Sequence, residues 1–462
     1  MNDTPTSRPA AHRDETPPAR RASDEPVSAR SSSSESPEPQ ETPAYPLLEA
    51  PADGVPDVIT TAAQLKECCA AIRAGHGPVA IDAERASGFR YGNDAYLVQL
   101  RREGSGTWLI DPVPLNDLSS LNTAIGSAEW VLHAATQDLP CLKALGLRPR
   151  KLFDTELGSR LAGLPRVGLA AVTEHFIGVT LAKEHSAVDW STRPLPHDWL
   201  VYAALDVERL VEVRDALAAE LEAQGKAEWA RQEFEALLDF EGPTPKKEPW
   251  RRTSGLHALR DLRQLARVRA LWQTREDIAQ RRDTTPGRVL PDALIIDLAR
   301  RNPHDTSGLV GPPAIRPRVG DGSARRRRPR PAHRGLARYG ERWLAALKAA
   351  DALPNRELPT ATQRTSAPPP IRAWHDKNPA AAGRLDDVRY GLQRFSDERR
   401  VPVENLVTPD LLRRVIWSPP ADTSEDGWRA ALSAGGARPW QCDIVAPLLA
   451  EAALDHPSHP TN

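Results

Sequence analysis

The chain has 462 residues, too many for one ordinary hydrophobic core, so two to four domains are expected. A formal net charge of −1, from 61 Lys and Arg against 62 Asp and Glu, gives no overall polyanion-binding or membrane-surface character. The four cysteines have neither CxxC nor Cys/His spacing, no run approaches the ~18 apolar residues of a membrane span, and the N-terminus lacks the apolar stretch of a signal peptide. These features count against a zinc framework, a disulfide scaffold and a membrane protein, and lead to the expectation of a cytoplasmic chain with no membrane partner.

Residues 1–44 are Pro, Ser and charge with almost nothing to bury, and are expected to be a disordered tail. From 45 to 240 strands and helices alternate. "PVAIDAE", "AYLVQLRR" and "TWLIDP" follow one another closely as hairpin-connected strands would, and "EWVLHAA" is a fourth. Helical segments surround and follow them, ending in the long run "HDWLVYAALDVERLVEVRDALAAELEAQGKAEWARQEFEALL". Antiparallel strands followed by β/α alternation predict a mixed sheet flanked by helices.

A Pro-rich break, "EGPTPKKEPW", separates this α/β domain from an all-helical region at 250–357. Charge concentrates there: from 241 to 342 there are 24 Lys or Arg against 11 Asp or Glu, an asymmetry that fits a polyanionic partner or simply a solvated helical face. Within it, 311–334 is an Arg/Pro-rich stretch with no apolar period, expected to be an exposed loop whose Arg325, Arg326, Arg327 and Arg328 could grip phosphates or do nothing. A second break precedes another helical run at 372–456. "TTPGRVLPDALIIDLA" and "PVENLVTPDLLRRVIW" align without gaps, as two copies of one small helical module would.

The chemistry rests on carboxylates. Asp82 and Glu84 in "IDAER" share one side of a strand end, where two like charges repel and are costly to desolvate. Asp138 stands where a helix starts, and taken alone would be an N-cap. Tyr202 and Asp206 in "YAALDVERL" are four apart on a helix and share a face. Each has a plain structural explanation singly. Together they provide four carboxylates that could converge on one cleft, where hard oxygen ligands would suit Mg²⁺ or Mn²⁺.

"IDAER", "HAATQDLPCL" and "YAALDVERL" resemble, in order and spacing, the three motifs of the DEDD exonuclease superfamily, and the Tyr before the last Asp marks its DEDDy subgroup. "FDTELGSRLAG" and "KEHSAVDWSTRPLP" narrow the resemblance to the ribonuclease D family, and "LWQTREDIAQRRDTTPGRVLPDALIIDLA" resembles its HRDC domain. The resemblance implies a ribonuclease H-like exonuclease domain followed by two helical HRDC-type domains. It implies two divalent metal ions: Asp82 bridging both, Glu84 and Asp206 completing the nucleophile side, Asp138 serving the other, and Tyr202 orienting the attacking water. The expected reaction is 3′→5′ exoribonuclease removal of nucleoside 5′-monophosphates from RNA with a free 3′ end, tRNA precursors among them, by a monomer.

A DNA 3′→5′ exonuclease and an inactive RNA-binding scaffold are the alternatives. His133 and Gln137 flank the second motif and could touch the terminal nucleotide, although His133 also reads as a packed strand-end histidine. Phe89 could stack on a base, and Trp190 reads as a packing anchor.

Overall fold

The computed structural model describes residues 45–182, 187–310, 331–361 and 367–457; the expectations placed on residues 1–44 and on Arg325–Arg328 lie outside them. Eight strands are present in that range: β1 (Leu47–Leu48), β2 (Val58–Ile59), β3 (His76–Arg85), β4 (Ala95–Glu103), β5 (Gly106–Ile110), β6 (Trp130–Leu132), β7 (Leu152–Asp154) and β8 (Thr180–Leu181). β1 pairs with β8, and the other six form one mixed sheet in the order β2-β5-β4-β3-β6-β7. β3, β4 and β5 are the antiparallel series expected from their close spacing, while β6 and β7 add in parallel.

β3 is central and buries both faces, which is why its apolar residues run consecutively instead of alternating. Ile81 packs with Leu65, Cys68 and Ile72 of the Ala62–Ala74 helix on one side. Ala80 packs with Val131, Val207 and Leu210 on the other. The run expected as one long helix is three, His197–Glu208, Leu210–Ala223 and Ala227–Leu238. Helical geometry lapses at Arg209, with φ −113° and ψ 7°, and Gly225 at φ 66° turns the chain again. High propensity conceals the corner at Arg209, whereas Gly225 marks the second in the sequence.

The two helical regions share an order of elements. A long helix (Leu262–Arg281; Pro379–Arg399) leads to a one-turn helix (Pro286–Val289; Val403–Leu406) and then to the segment beginning Pro-Asp (Asp292–Arg301; Pro409–Trp417). One correction falls at the end of the Arg/Pro-rich stretch. Residues 331–334, expected in the loop, belong to the helix Pro331–Arg338, with Pro at the first turn where its missing N–H costs nothing.

The two regions attach differently. The C-terminal helices continue the core of the α/β domain: Phe153, Leu217 and Phe234 lie in one apolar cluster with Trp374, Leu385 and Trp440. Trp440 stacks on Trp229 at 4.9 Å between centroids, and its Nε1 donates to Glu233 at 2.9 Å. Lys226, 1% exposed, donates to the carbonyls of Leu161 and Arg399, both at 2.7 Å, joining the two parts again. The middle region has its own core around Leu271, Ile295 and Trp343. Its contact with the loop after β3 combines packing of Tyr91 against that core with polar bonds. Asp283 accepts from Arg90 at 3.0 Å and from the Tyr91 N–H at 3.2 Å, and the Thr285 N–H donates to the Phe89 carbonyl at 3.1 Å.

Candidate active site

β3 delivers Asp82 and Glu84 to one side of the sheet, opposite Gln99 and Leu97 of β4. The His197–Glu208 helix lies across that side. Ala203 and Ala204, fully buried with Leu97, Leu109 and Trp190, keep its contact with the sheet narrow and carry Asp206 close to β3. Carboxylate oxygens of Asp82, Glu84 and Asp206 lie within 4.8 Å of one another. One turn earlier, the Tyr202 hydroxyl donates to Asp206, and its ring packs 6.3 Å from that of Trp190. Trp190 is fully buried and also contacts Trp199, so it is a packing anchor behind Tyr202.

Asp138 comes from a different device. Ala134, at φ 59°, turns the chain sharply after β6. The turn is held by Asp154, whose carboxylate accepts from the amides of Ala134 (3.0 Å), Ala135 (2.9 Å), Glu156 (2.9 Å) and Leu157 (3.1 Å). Asp138 then occupies the N-cap position of the helix Leu139–Ala144, but its side chain caps no amide. It is 4% exposed and pairs with Arg85, whose Nη2 lies 3.3 Å from Oδ1. A capping role, the plain explanation for an Asp at this place, is therefore unfilled.

Electrostatics mark the cluster. Burial raises all four carboxyls, and repulsion by neighbouring carboxylates raises Glu84, Asp138 and Asp206 further. Glu84 is pushed up to about 10, by burial first and then by Asp82, Asp206 and Asp138. Tyr202 is likewise raised by burial and the facing carboxylates, so it stays protonated. Gln99, opposite Asp82 and wholly buried, has neither polar side-chain atom hydrogen-bonded among the described residues. Self-repelling acids, an unspent amide and an all-oxygen donor set fit a hard divalent cation with its waters.

The other candidates separate from this cluster. His133 is held by Thr155, Nδ1 to Oγ1 at 2.9 Å, and burial lowers it to about 4, so it is neutral. Gln137 is exposed, and its carbonyl accepts from Arg85 at 2.8 Å. The Phe89 ring, expected to be available to a base, has the Arg288 guanidinium 4.1 Å from its centroid, so that face is already covered. Reading the sequence missed Asp154, Arg85 and Gln99. Only Asp154 left a signal: an Asp before an apolar-periodic helix is an N-cap pattern.

The geometry has counterparts in known proteins. A family model described as 3′-5′ exonuclease matches residues 56–222, one described as HRDC domain matches 264–319, and one described as 3′ to 5′ exonuclease C-terminal domain matches 367–453. The Ribonuclease D of Gluconacetobacter diazotrophicus is 30% identical over 302 residues, which is 64% of this chain and 72% of that protein.

The chain belongs to the ribonuclease D family.

As a member of this family it is a 3′→5′ exoribonuclease, a hydrolase that pairs the exonuclease domain with an HRDC domain. A protein of known crystal structure from Bifidobacterium adolescentis is 41% identical, with a TM-score of 0.77 over 88% of this chain and 99% of that one. The structure of Escherichia coli RNase D, described as an exoribonuclease involved in structured RNA processing, is 25% identical, with a TM-score of 0.61 over 87% and 99% of the two chains. The chain spans 66% of the length of the Ribonuclease D of Sphingobium indicum and 92% of that of Nitrobacter hamburgensis. No helix among the described residues is long and apolar enough to cross a membrane.

Proposed function

We propose that this chain removes nucleoside 5′-monophosphates one at a time from RNA 3′ ends, using two Mg²⁺ or Mn²⁺ ions held by Asp82, Glu84, Asp138 and Asp206. The observation that carries this reading is the meeting of Asp82, Glu84 and Asp206 within 4.8 Å in a buried setting, with Tyr202 hydrogen-bonded beside them. The ions, when bound, would supply the positive charge that in-line phosphodiester cleavage needs at the attacking and departing oxygens. Asp82, whose charge acts on each of the other three carboxyls, would serve both ions; Glu84 and Asp206 would serve the attacking side, and Asp138 the other. Tyr202 keeps its proton at neutral pH, so its hydroxyl would orient the water through a hydrogen bond and would not abstract a proton from it.

Structured RNA such as tRNA precursors is the substrate we favour, acted on in the cytoplasm by a monomer. Support comes from the basic balance of 241–342, from the HRDC domain lying against the loop that follows β3, and from the E. coli relative's part in structured RNA processing. The test is a 5′-labelled hairpin RNA with a single-stranded 3′ tail, run beside the matched DNA. Products shortened by single nucleotides, release of 5′-monophosphates, loss of activity with chelator and slower attack on DNA are expected. Internal cuts, or equal rates on DNA, would contradict the assignment.

A further inference from the structure

Arg85 is the one cationic side chain that the structure pairs with a carboxylate of the proposed ligand set among the described residues. Strand parity would send it away from Glu84, to the opposite side of the sheet. At this point the pairing of β3 with β4 is irregular: Glu84 lies opposite Leu97 and Arg85 opposite Ala95, so Tyr96 is passed over. Such bulges re-aim side chains next to functional sites. Here Arg85 reaches across to the turn before the Leu139–Ala144 helix. Its Nη1 donates to the Gln137 carbonyl at 2.8 Å, and its Nη2 stands 3.3 Å from Asp138 Oδ1.

The pairing divides the four carboxylates unequally. Asp82, Glu84 and Asp206 already face one another, whereas Asp138 is engaged by a guanidinium. Arg85 is also only partly enclosed, with 26% of its side chain exposed against 5% for Asp138, so it can swing into solvent while Asp138 cannot. A guanidinium and a divalent ion compete for the same carboxylate lone pairs.

We propose that Arg85 is a resident cation that holds Asp138 until an ion displaces it, so that the Asp138 side of the site loads more weakly than the side formed by Asp82, Glu84 and Asp206. Arg85 is thus a positioning residue, acting through Asp138. The inference rests on the two-cation reading above. It predicts stepwise loading: the three-carboxylate side fills first, and the Asp138 side only once Arg85 has been released.

Calorimetric titration of the metal-free full-length protein with Mn²⁺, without RNA, tests this. The wild type is expected to show a tight site and a weaker one, with Asp138→Asn losing the weaker. Arg85→Gln is expected to tighten the weaker site by about tenfold and leave the tight one unchanged, and to have no such effect in the Asp138→Asn background. Arg85→Lys, which keeps the charge, is expected to stay near the wild type. A weaker site that is unchanged or loosened in Arg85→Gln would show that Arg85 does not compete there, and would overturn the proposal while the two-cation reading stands. A wild type without saturable Mn²⁺ binding would overturn both.

Discussion

Asp82→Asn is expected to lower kcat on a 3′-tailed RNA by about 10³-fold or more, and Asp206→Asn by a comparable factor, since both remove charge from the proposed cation cage with little change of shape. Tyr202→Phe keeps the ring against Trp190 and deletes the hydroxyl, so a smaller loss, about 10–100-fold, is expected. Stability should move the other way. Burial raises the pKa of both acids, and the charge of Asp82 raises that of Asp206 further, so the metal-free fold carries carboxylates that resist ionising. Asp82→Asn should therefore leave the melting temperature of the metal-free protein unchanged or higher, which separates lost chemistry from misfolding.

The pH dependence follows with a definite sign. Glu84 has its folded pKa raised from 4.5 to about 10. Its contribution to stability is therefore fully present below about pH 4.5 and is lost as pH rises towards 10. Added Mn²⁺, which favours the ionised form, should raise the melting temperature more at pH 8.5 than at pH 6. A thermal-shift series at the two pH values, with and without metal, checks this; a metal effect independent of pH would contradict it.

Trp440→Ala is expected to cost about 3–5 kcal/mol and to destabilise the nuclease domain along with the C-terminal helices. The residue is 2% exposed, stacks on Trp229 and hydrogen-bonds Glu233, so its removal opens a hole in a core that the two parts share. Trp343→Ala should be similarly costly but confined to the HRDC region, whose apolar cluster is largely its own. Calorimetry should resolve two transitions. Trp440→Ala should lower the one in which the α/β sheet melts, and Trp343→Ala the other. If Trp440→Ala lowered only a minor transition and left the sheet's melting in place, the shared core would not be cooperative.

Much of the site was legible because its spacing is local. Asp82 and Glu84 are two apart on a strand, and Tyr202 and Asp206 four apart on a helix, so period alone places each pair on one face. Asp138 was legible through its motif, although its ordinary meaning is a cap. What escaped depended on contacts between distant segments. β7 is three residues long, too short to show an alternation. Arg85 follows Glu84 directly, and regular strand parity turns it away; only the irregular pairing past Tyr96 lets it reach Asp138. Phe89 looks like a free ring until Arg288, from a different domain, lies over it. The core shared with the C-terminal helices joins residues as far apart in the chain as Phe153 and Trp440, and no local pattern encodes that.

The most direct measurement is the anomalous scattering of Mn²⁺ in crystals of the protein with an RNA 3′ end bound. Two peaks are expected, one among the carboxylate oxygens of Asp82, Glu84 and Asp206 and one beside Asp138, with Arg85 turned away from Asp138 and the Tyr202 hydroxyl directed to the water beside the scissile phosphate. No Mn²⁺ peak in contact with these carboxylates, with the RNA 3′ end seated elsewhere, would contradict the central claim.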